Sequence, residues 1–347
     1  MDTIGLDLHK RESQLCVLAE DGMIHERRIV TSRERFTAVL GNRTGSRILI
    51  EASTESEWVA QHLESLGHEV IVADPNYAPM YAARSRRVKT DKRDARALAE
   101  ALRVGAYRPA HRVSAKRRHV RAELAVREAL VRTRTRYISL AKALVRRDGL
   151  RVAGSGAEQV AQRIAELDLS DTLATELMPL FQVLAAINEQ IDGADRRIAE
   201  LSKNDAEVAL LTTAPSIGPI TASAVVATVD DISRFRSAHQ FEAFLGLVPG
   251  ERSSGEKRRV GKITKTGNSR VRYLLIEAGW RMMRSRSEET AALRAWALQI
   301  AARRGKRIAV VALARRLAGI LFAMWRDNSP YNAANLHMPR PILAKAS

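Results

Sequence analysis

Four acidic residues stand where a carboxylate is expensive to place without a purpose. Asp7 ends the apolar run Ile4-Gly5-Leu6-Asp7, and Glu51 ends Ile48-Leu49-Ile50-Glu51. Burying an unpaired carboxylate is costly, and two of them on neighbouring strands repel unless a cation lies between them. Asp91 and Asp94 are three apart in Asp91-Lys92-Arg93-Asp94 and so face one side of a helix, about one turn apart. Four acids on such elements converge on a hard divalent cation, Mg2+ or Mn2+, which takes carboxylate and water oxygens. Taken singly, each has a plainer reading, as a capped strand end or as a helix acid paired with Arg93 or Arg96.

The elements that must position these acids form an α/β region over residues 1–112. Ile4 to Leu8, Gln14 to Leu18 and Met23 to Val30 read as three consecutive strands, with Asp21-Gly22 as the turn between the second and third. Thr31 opens a helix, with Glu34 three residues later completing a capping box. Arg47 to Ile50 is a strand, Glu55 to Leu66 a helix, Glu69 to Ala73 a strand and Asp91 to Arg103 a helix. This order predicts a sheet with helices packed on it.

From 113 to 204 the β signal disappears. Leu124, Val131, Ile138 and Val145 recur at intervals of seven; further on, Leu177, Leu184, Ile191 and Ile198 form one column and Leu180, Ile187, Ala194 and Leu201 another. Such columns argue for a coiled-coil seam that pairs with another subunit. A helical hairpin folded on itself is the alternative. Residues 205–330 read as a mainly helical third region, with helix, tight turn and helix around Pro215-Ser216-Ile217-Gly218-Pro219 and a basic loop from Glu251 to Arg272. A tail, 331–347, follows.

The chain of 347 residues carries 57 Lys and Arg against 39 Asp and Glu, a net charge of +18. A surplus of that size calls for a polyanion, so nucleic acid is the first partner to consider and an anionic membrane surface the second. Aromatic residues are only 5%, too few for an amphipathic membrane anchor, and no run approaches the ~18 apolar residues of a spanning helix. One cysteine, Cys16, excludes an internal disulfide and a multi-cysteine zinc site. It reads as a core residue of a strand. The expectation is a cytoplasmic nucleic-acid protein, associated with the nucleoid when bound to DNA. Lys116, Arg117, Arg118, Arg121, Arg127, Arg132, Arg134 and Arg136 could track a phosphate backbone, or form a solvated helix face.

Strand Asp, fourth-strand Glu and a following Asp-x-x-Asp helix is how ribonuclease-H-like nucleases hold their metals. Val88-Lys89-Thr90-Asp91-Lys92-Arg93-Asp94-Ala95, preceded by Ile4-Gly5-Leu6-Asp7 and Ile50-Glu51-Ala52, resembles the DEDD insertion-sequence transposases, the IS one-ten family, whose nuclease domain is similar to the junction resolvase RuvC. The resemblance extends through Pro215 to Ala222, Phe244-Leu245-Gly246-Leu247-Val248-Pro249, Ser253-Ser254-Gly255 and Gly261 to Asn268, about residues 1–290 in all. It implies a RuvC-like nuclease domain, a helical coiled-coil region and a mainly helical transposase domain. The implied activity is Mg2+-dependent DNA strand cleavage and rejoining, in which the tetrad Asp7, Glu51, Asp91 and Asp94 cooperates with a serine nucleophile at Ser254 through a phosphoserine–DNA intermediate. Ser253 is a neighbouring alternative in the residues themselves.

The resemblance further implies double-stranded DNA as partner, at the element ends and the target. It also implies a non-coding guide RNA and a homo-oligomer, dimer or tetramer, with tetrad and serine contributed by different protomers. Nucleic-acid contacts are expected from Lys89, Arg93, Arg117, Arg118, Arg252, Lys257, Arg258, Arg259, Lys262 and Lys265, with Gly218 in a helix-hairpin-helix-like turn. Relatives usually have Gly where this chain has Ser216. His9 reads as a locally packed, partly exposed residue, with assistance to Asp7 as the alternative. The rival enzyme is a RuvC-like junction endonuclease in which water attacks; a third class is a non-catalytic nucleic-acid scaffold.

Overall fold

Alternation along the first strands decides the architecture of the N-terminal part. In the computed structural model, which describes residues 1–81, 90–154, 156–251 and 260–336, the chain divides into two compact units, Met1–Val113 and Ser114–Ser347. The first unit holds β1 (Thr3–Leu8), β2 (Glu12–Leu18), β3 (Ile24–Val30), α1 (Arg33–Leu40), β4 (Arg47–Glu51), α2 (Ser56–Ser65), β5 (Glu69–Ala73) and α3 (Asp91–Val104). Its sheet runs β3-β2-β1-β4-β5. β1, β2 and β3 pair antiparallel, whereas β4 is parallel to β1 and to β5.

Successive side chains of a strand point to opposite faces. Ile4, Leu6, Ile48 and Ile50 therefore join Phe36 and Leu40 of α1 and Val59 and Leu63 of α2 in one core layer. On the other face Leu49 packs with Leu98 and Leu102 of α3, and Cys16 and Leu18 with Ala95 and Ala99. Cys16 is fully buried, as its place in a strand predicts.

The helix expected to open at Thr31 is capped one residue later: the Ser32 side chain accepts from the Arg35 amide. Thr31 instead donates its hydroxyl to the His9 carbonyl at 2.8 Å and shares a hydrogen bond with Ser13 Oγ. At Gly22, φ is 86°, the left-handed turn geometry that Asp-Gly sequences favour.

The second unit contains α4 (Ala115–Arg147), α5 (Val160–Ala165), α6 (Asp171–Ser202), α7 (Ala206–Thr212), α8 (Pro219–Val229), α9 (Ala238–Phe244), β6 (Pro249–Glu251), β7 (Val260–Ile263), α10 (Ser269–Arg284), α11 (Ala291–Arg304) and α12 (Lys306–Arg326). The residues expected as separate regions, 113–204 and 205–330, fall together in it.

The heptad columns are occupied from within the chain, which corrects the expected intersubunit seam. α4 and α6 pack on each other, and ion pairs Glu123–Arg197, Arg127–Asp195 and Arg147–Glu176, with the Arg134–Asn188 hydrogen bond, run in opposite senses along the two helices. The pair is thus an antiparallel hairpin, with Leu177, Leu184, Ile191 and Ile198 all buried. Gly149, at φ 80°, follows the end of α4, and the connection back to α6 carries α5.

α12 is long and apolar enough to cross a membrane by length and composition alone, contrary to the sequence reading. Its Leu313, Leu317, Leu321 and Phe322 are instead buried in the main core of this unit, where α12 packs against α9, α10 and α11. A core helix enclosed by others has the same composition as a lipid-facing one.

Candidate metal centre and serine-loop ribbon

Strand alternation and parallel register bring the first two acids together. Leu6 pairs with Ile50 in the parallel β1–β4 ladder, so Asp7 and Glu51 follow side by side. Asp7 has the parity of Gly5, and Glu51 that of Leu49, which places both on the face covered by α3. Thr90 caps α3 by accepting from the Arg93 amide, so the first turn begins at Asp91 and includes Asp94. Helix N-termini favour negative charge.

What lets α3 approach β1 is the absence of a side chain at Gly5. A Cβ built there would lie 2.0 Å from the Ala95 carbonyl oxygen and 2.4 Å from the Ala99 nitrogen. With Ala95 and Ala99 opposite, helix and strand meet backbone to backbone, and the first turn of α3 is held above Asp7.

Asp7 is 6% exposed and Asp94 7%; Glu51 is half-buried and Asp91 exposed. The Asp7 Oδ2 atom is buried and accepts no hydrogen bond from any described residue. Burial pushes its carboxyl up to about 6; His9 pulls the other way, and Asp94, Asp91 and Glu51 add to the rise. The Tyr81 hydroxyl donates to Glu51 Oε1 and orients it. Donor atoms of Asp7, His9 and Asp91 all lie within 4.8 Å of one another. A buried carboxylate oxygen left without a proton donor, among further acids, has the donor set of a divalent-cation site. The approach of His9 to Asp91 and the Tyr81 bond were not legible in sequence, because both depend on tertiary packing; only the nearness of His9 to Asp7 follows from the chain order.

Ser254, with Arg252, Ser253, Lys257, Arg258 and Arg259, lies outside the described residues, as does Lys89. The base of the serine loop is described. β6 and β7 form a two-stranded antiparallel ribbon in which Glu251 faces Val260, so the ends of the intervening segment are held together. Gly246 (φ 68°) and Gly267 (φ 71°) pack so closely that a Cβ would lie 2.1 Å from Thr266 O and 1.9 Å from Phe244 O respectively. Arg272, buried at 9% exposure, donates to the carbonyls of Leu245 and Thr266 and ties the two sides. This explains in packing terms two of the glycines in the segments quoted above. The role of Arg272 was not foreseen. Lys262 and Lys265 are exposed on this ribbon and the turn after it.

The expected basic track along α4 divides. Arg117 is 7% exposed, and its guanidinium is engaged by Asp205 and by Glu207, the latter at 3.1 Å. It is an internal ion-pair residue rather than part of an exposed phosphate-facing row. Burial would raise the Asp205 carboxyl, but the hydrogen bonds from Arg117 and Lys116 outweigh it and hold it far below the ordinary range. Arg121 donates to the carbonyls of Ala227 and Thr228, satisfying the C-terminal end of α8. Arg118 is half-buried and Arg93 and Arg136 are exposed. Gly218 is the N-cap of α8, and a Cβ there would meet nothing within 4 Å.

An acidic cluster at the carboxyl ends of the adjacent interior strands β1 and β4 of a mixed sheet, joined in one chain to a helical unit, defines a carboxylate-lined site whose class comparison with known proteins makes specific. Residues 4–147 match the DEDD model described as "Transposase", and residues 208–294 match the "Transposase IS116/IS110/IS902 family" model. A probable family 20 transposase of Pseudomonas aeruginosa is 32% identical, covering 95% of this chain and 98% of that protein. The transposase for insertion sequence element IS1111A of Coxiella burnetii is 27% identical over 94% of this chain and 90% of its own length, and that for IS1328 of Yersinia enterocolitica 28% identical over 95% and 98%. The chain belongs to the IS110/IS116/IS902 family of insertion-sequence transposases, enzymes of DNA phosphoryl transfer.

Proposed function

We propose that this transposase cuts and rejoins DNA with Asp7, Glu51, Asp91 and Asp94 holding a divalent cation, Mg2+ or Mn2+, and with Ser254 as the nucleophile. The observation that carries the metal reading is the buried Asp7 carboxylate, whose Oδ2 lacks a hydrogen-bond donor while His9 and Asp91 offer ligand atoms beside it. Bound there, the cation would supply positive charge to the phosphate and the leaving oxygen. On this reading the first unit is a RuvC-like nuclease domain.

The Ser254 hydroxyl loses its proton to solvent and its oxygen forms a bond to phosphorus as one bridging P–O bond of the DNA breaks; the departing DNA oxygen takes up a proton and leaves as a free hydroxyl. In rejoining, the free hydroxyl of another cut strand attacks the phosphoserine phosphorus and gives its proton to solvent, while the Ser254 oxygen leaves and is reprotonated. A phosphoserine linkage conserves the bond energy that hydrolysis would dissipate, and rejoining needs it. Arg93, Arg118, Lys262 and Lys265, the Gly218 turn, and Lys89, Arg252, Lys257, Arg258 and Arg259 outside the described residues are the proposed contacts to DNA or RNA backbone. A non-coding guide RNA supplies target choice, and a homo-oligomer assembles the reacting ends.

The test is expression with native flanking DNA on both sides of the gene, followed by a denaturing gel for a nuclease-sensitive protein–DNA adduct. The adduct should require Mg2+ and disappear in Ser254→Ala. Cut DNA without an adduct would establish water as nucleophile, and loss of the adduct only in Ser253→Ala would move the nucleophile by one residue.

A further inference from the structure

His9 stands closer to the acidic centre than a locally packed surface histidine needs to. Its Nε2 lies 3.4 Å from Asp7 Oδ2 and 3.5 Å from Asp91 Oδ1, and its side chain is about half exposed. Both distances exceed the ~2.7–3.2 Å of an ordinary hydrogen bond. They fall between the ~3.0 Å that separates adjacent ligands and the ~4.2 Å that separates opposite ligands on an ion with bonds of about 2.1 Å. The backbone that carries His9 is fixed rather than adventitious. Thr31 Oγ1 donates to the His9 carbonyl, and the Thr31 amide donates to the Arg11 carbonyl at 2.9 Å. The turn after β1 is thereby tied to the end of β3, and the imidazole is presented to the same space as the buried, donorless Asp7 oxygen.

We infer that His9 is a nitrogen ligand of the divalent cation held by the acidic tetrad, so that the centre is a mixed nitrogen–oxygen site favouring a first-row transition ion such as Mn2+ over Mg2+. This rests on the metal-centre reading above and adds a fifth ligand to it. Oxygen-only sets suit Mg2+, whereas imidazole adds affinity for first-row transition ions and little for Mg2+. Because His9 is exposed and packs in no core layer, replacing it leaves the fold in place.

The experiment uses the full-length protein, Mn2+ as the probe and pulsed electron paramagnetic resonance to detect 14N coupled to the bound ion. Wild type should show strong nitrogen modulation. His9→Gln should bind Mn2+ about tenfold more weakly, a loss of the size seen when groups supporting a metal site are removed. It should also lose the modulation and keep its Mg2+ affinity within about twofold. Mn2+ bound to wild type without nitrogen modulation, or modulation that survives in His9→Gln, overturns the His9 assignment and leaves the tetrad standing. Absence of any Mn2+ binding that Asp7→Asn removes overturns the metal centre itself, and His9 with it.

Discussion

Gly5 of β1 and Ala95 of α3 meet backbone to backbone, with a Cβ at Gly5 placed 2.0 Å from the Ala95 carbonyl oxygen. No side-chain rearrangement relieves that overlap, since the obstructing atom belongs to a helix backbone. Gly5→Ala is therefore expected to push α3 away from the sheet, at a cost of about 1–3 kcal/mol, and to carry Asp91 and Asp94 away from Asp7. Chemical denaturation should show the stability loss, and Mn2+ titration should show weakened binding. Wild-type metal affinity in Gly5→Ala would mean that α3 does not set the spacing of the acids.

The pH dependence of the metal-free protein follows from Asp7. Its carboxyl is raised in the folded state to about 6, first by burial, against about 3.9 in an unfolded chain. The folded state thus binds the proton more tightly. The stability from this group is fully present below about pH 4 and is lost as pH rises through about 6, on the order of 1–3 kcal/mol. Asp7→Asn, which keeps the shape without the charge, should melt at a higher temperature than wild type at pH 7 in a chelating buffer and match it near pH 4. Equal melting at both values would contradict the burial argument.

Arg117 gives a prediction opposite to the one its basic neighbourhood invites. Removing it leaves Asp205, which is 2% exposed, without its bidentate partner. Breaking a buried pair in this way costs about 3–5 kcal/mol. Arg117→Ala should lower the denaturation midpoint sharply while the salt dependence of DNA binding by the folded fraction stays unchanged. A reduced salt slope at wild-type stability would return Arg117 to the phosphate-contact set.

Leu184 and Ile191 test the helical hairpin. Each is nearly fully buried, so Leu184→Ala should destabilise the protein by about 2–5 kcal/mol and leave the sedimentation coefficient of the folded protein unaltered. A slower-sedimenting species of undiminished stability would restore the column to a seam between subunits.

Ser216 holds φ at 66°, a left-handed conformation that costs an L-residue about 1–2 kcal/mol and glycine almost nothing. Ser216→Gly should raise stability by about 1 kcal/mol, read as a shift in melting temperature.

Local pattern was enough to read the first unit. The short β-rich runs Ile4–Leu8 and Ile48–Ile50 marked the strands, Asp21-Gly22 marked a turn, and the three-residue spacing of Asp91 and Asp94 marked one side of a helix. These features depend on neighbours in sequence, and α/β order constrains the topology further. The tertiary structure alone decided who occupies each surface. The heptads of α4 and α6 carry the same signal whether the partner helix belongs to this chain or to another copy; in the fold the two helices pack on each other within the chain. Arg117 was one arginine among many until folding brought Asp205 to it across 88 positions. His9 and Tyr81 reached the acids through turns whose course no periodicity encodes. Residue type and spacing determined which chemistry was available, because both follow from the chain's local geometry. Long-range packing decided which charges were spent inside the protein and which were left to act.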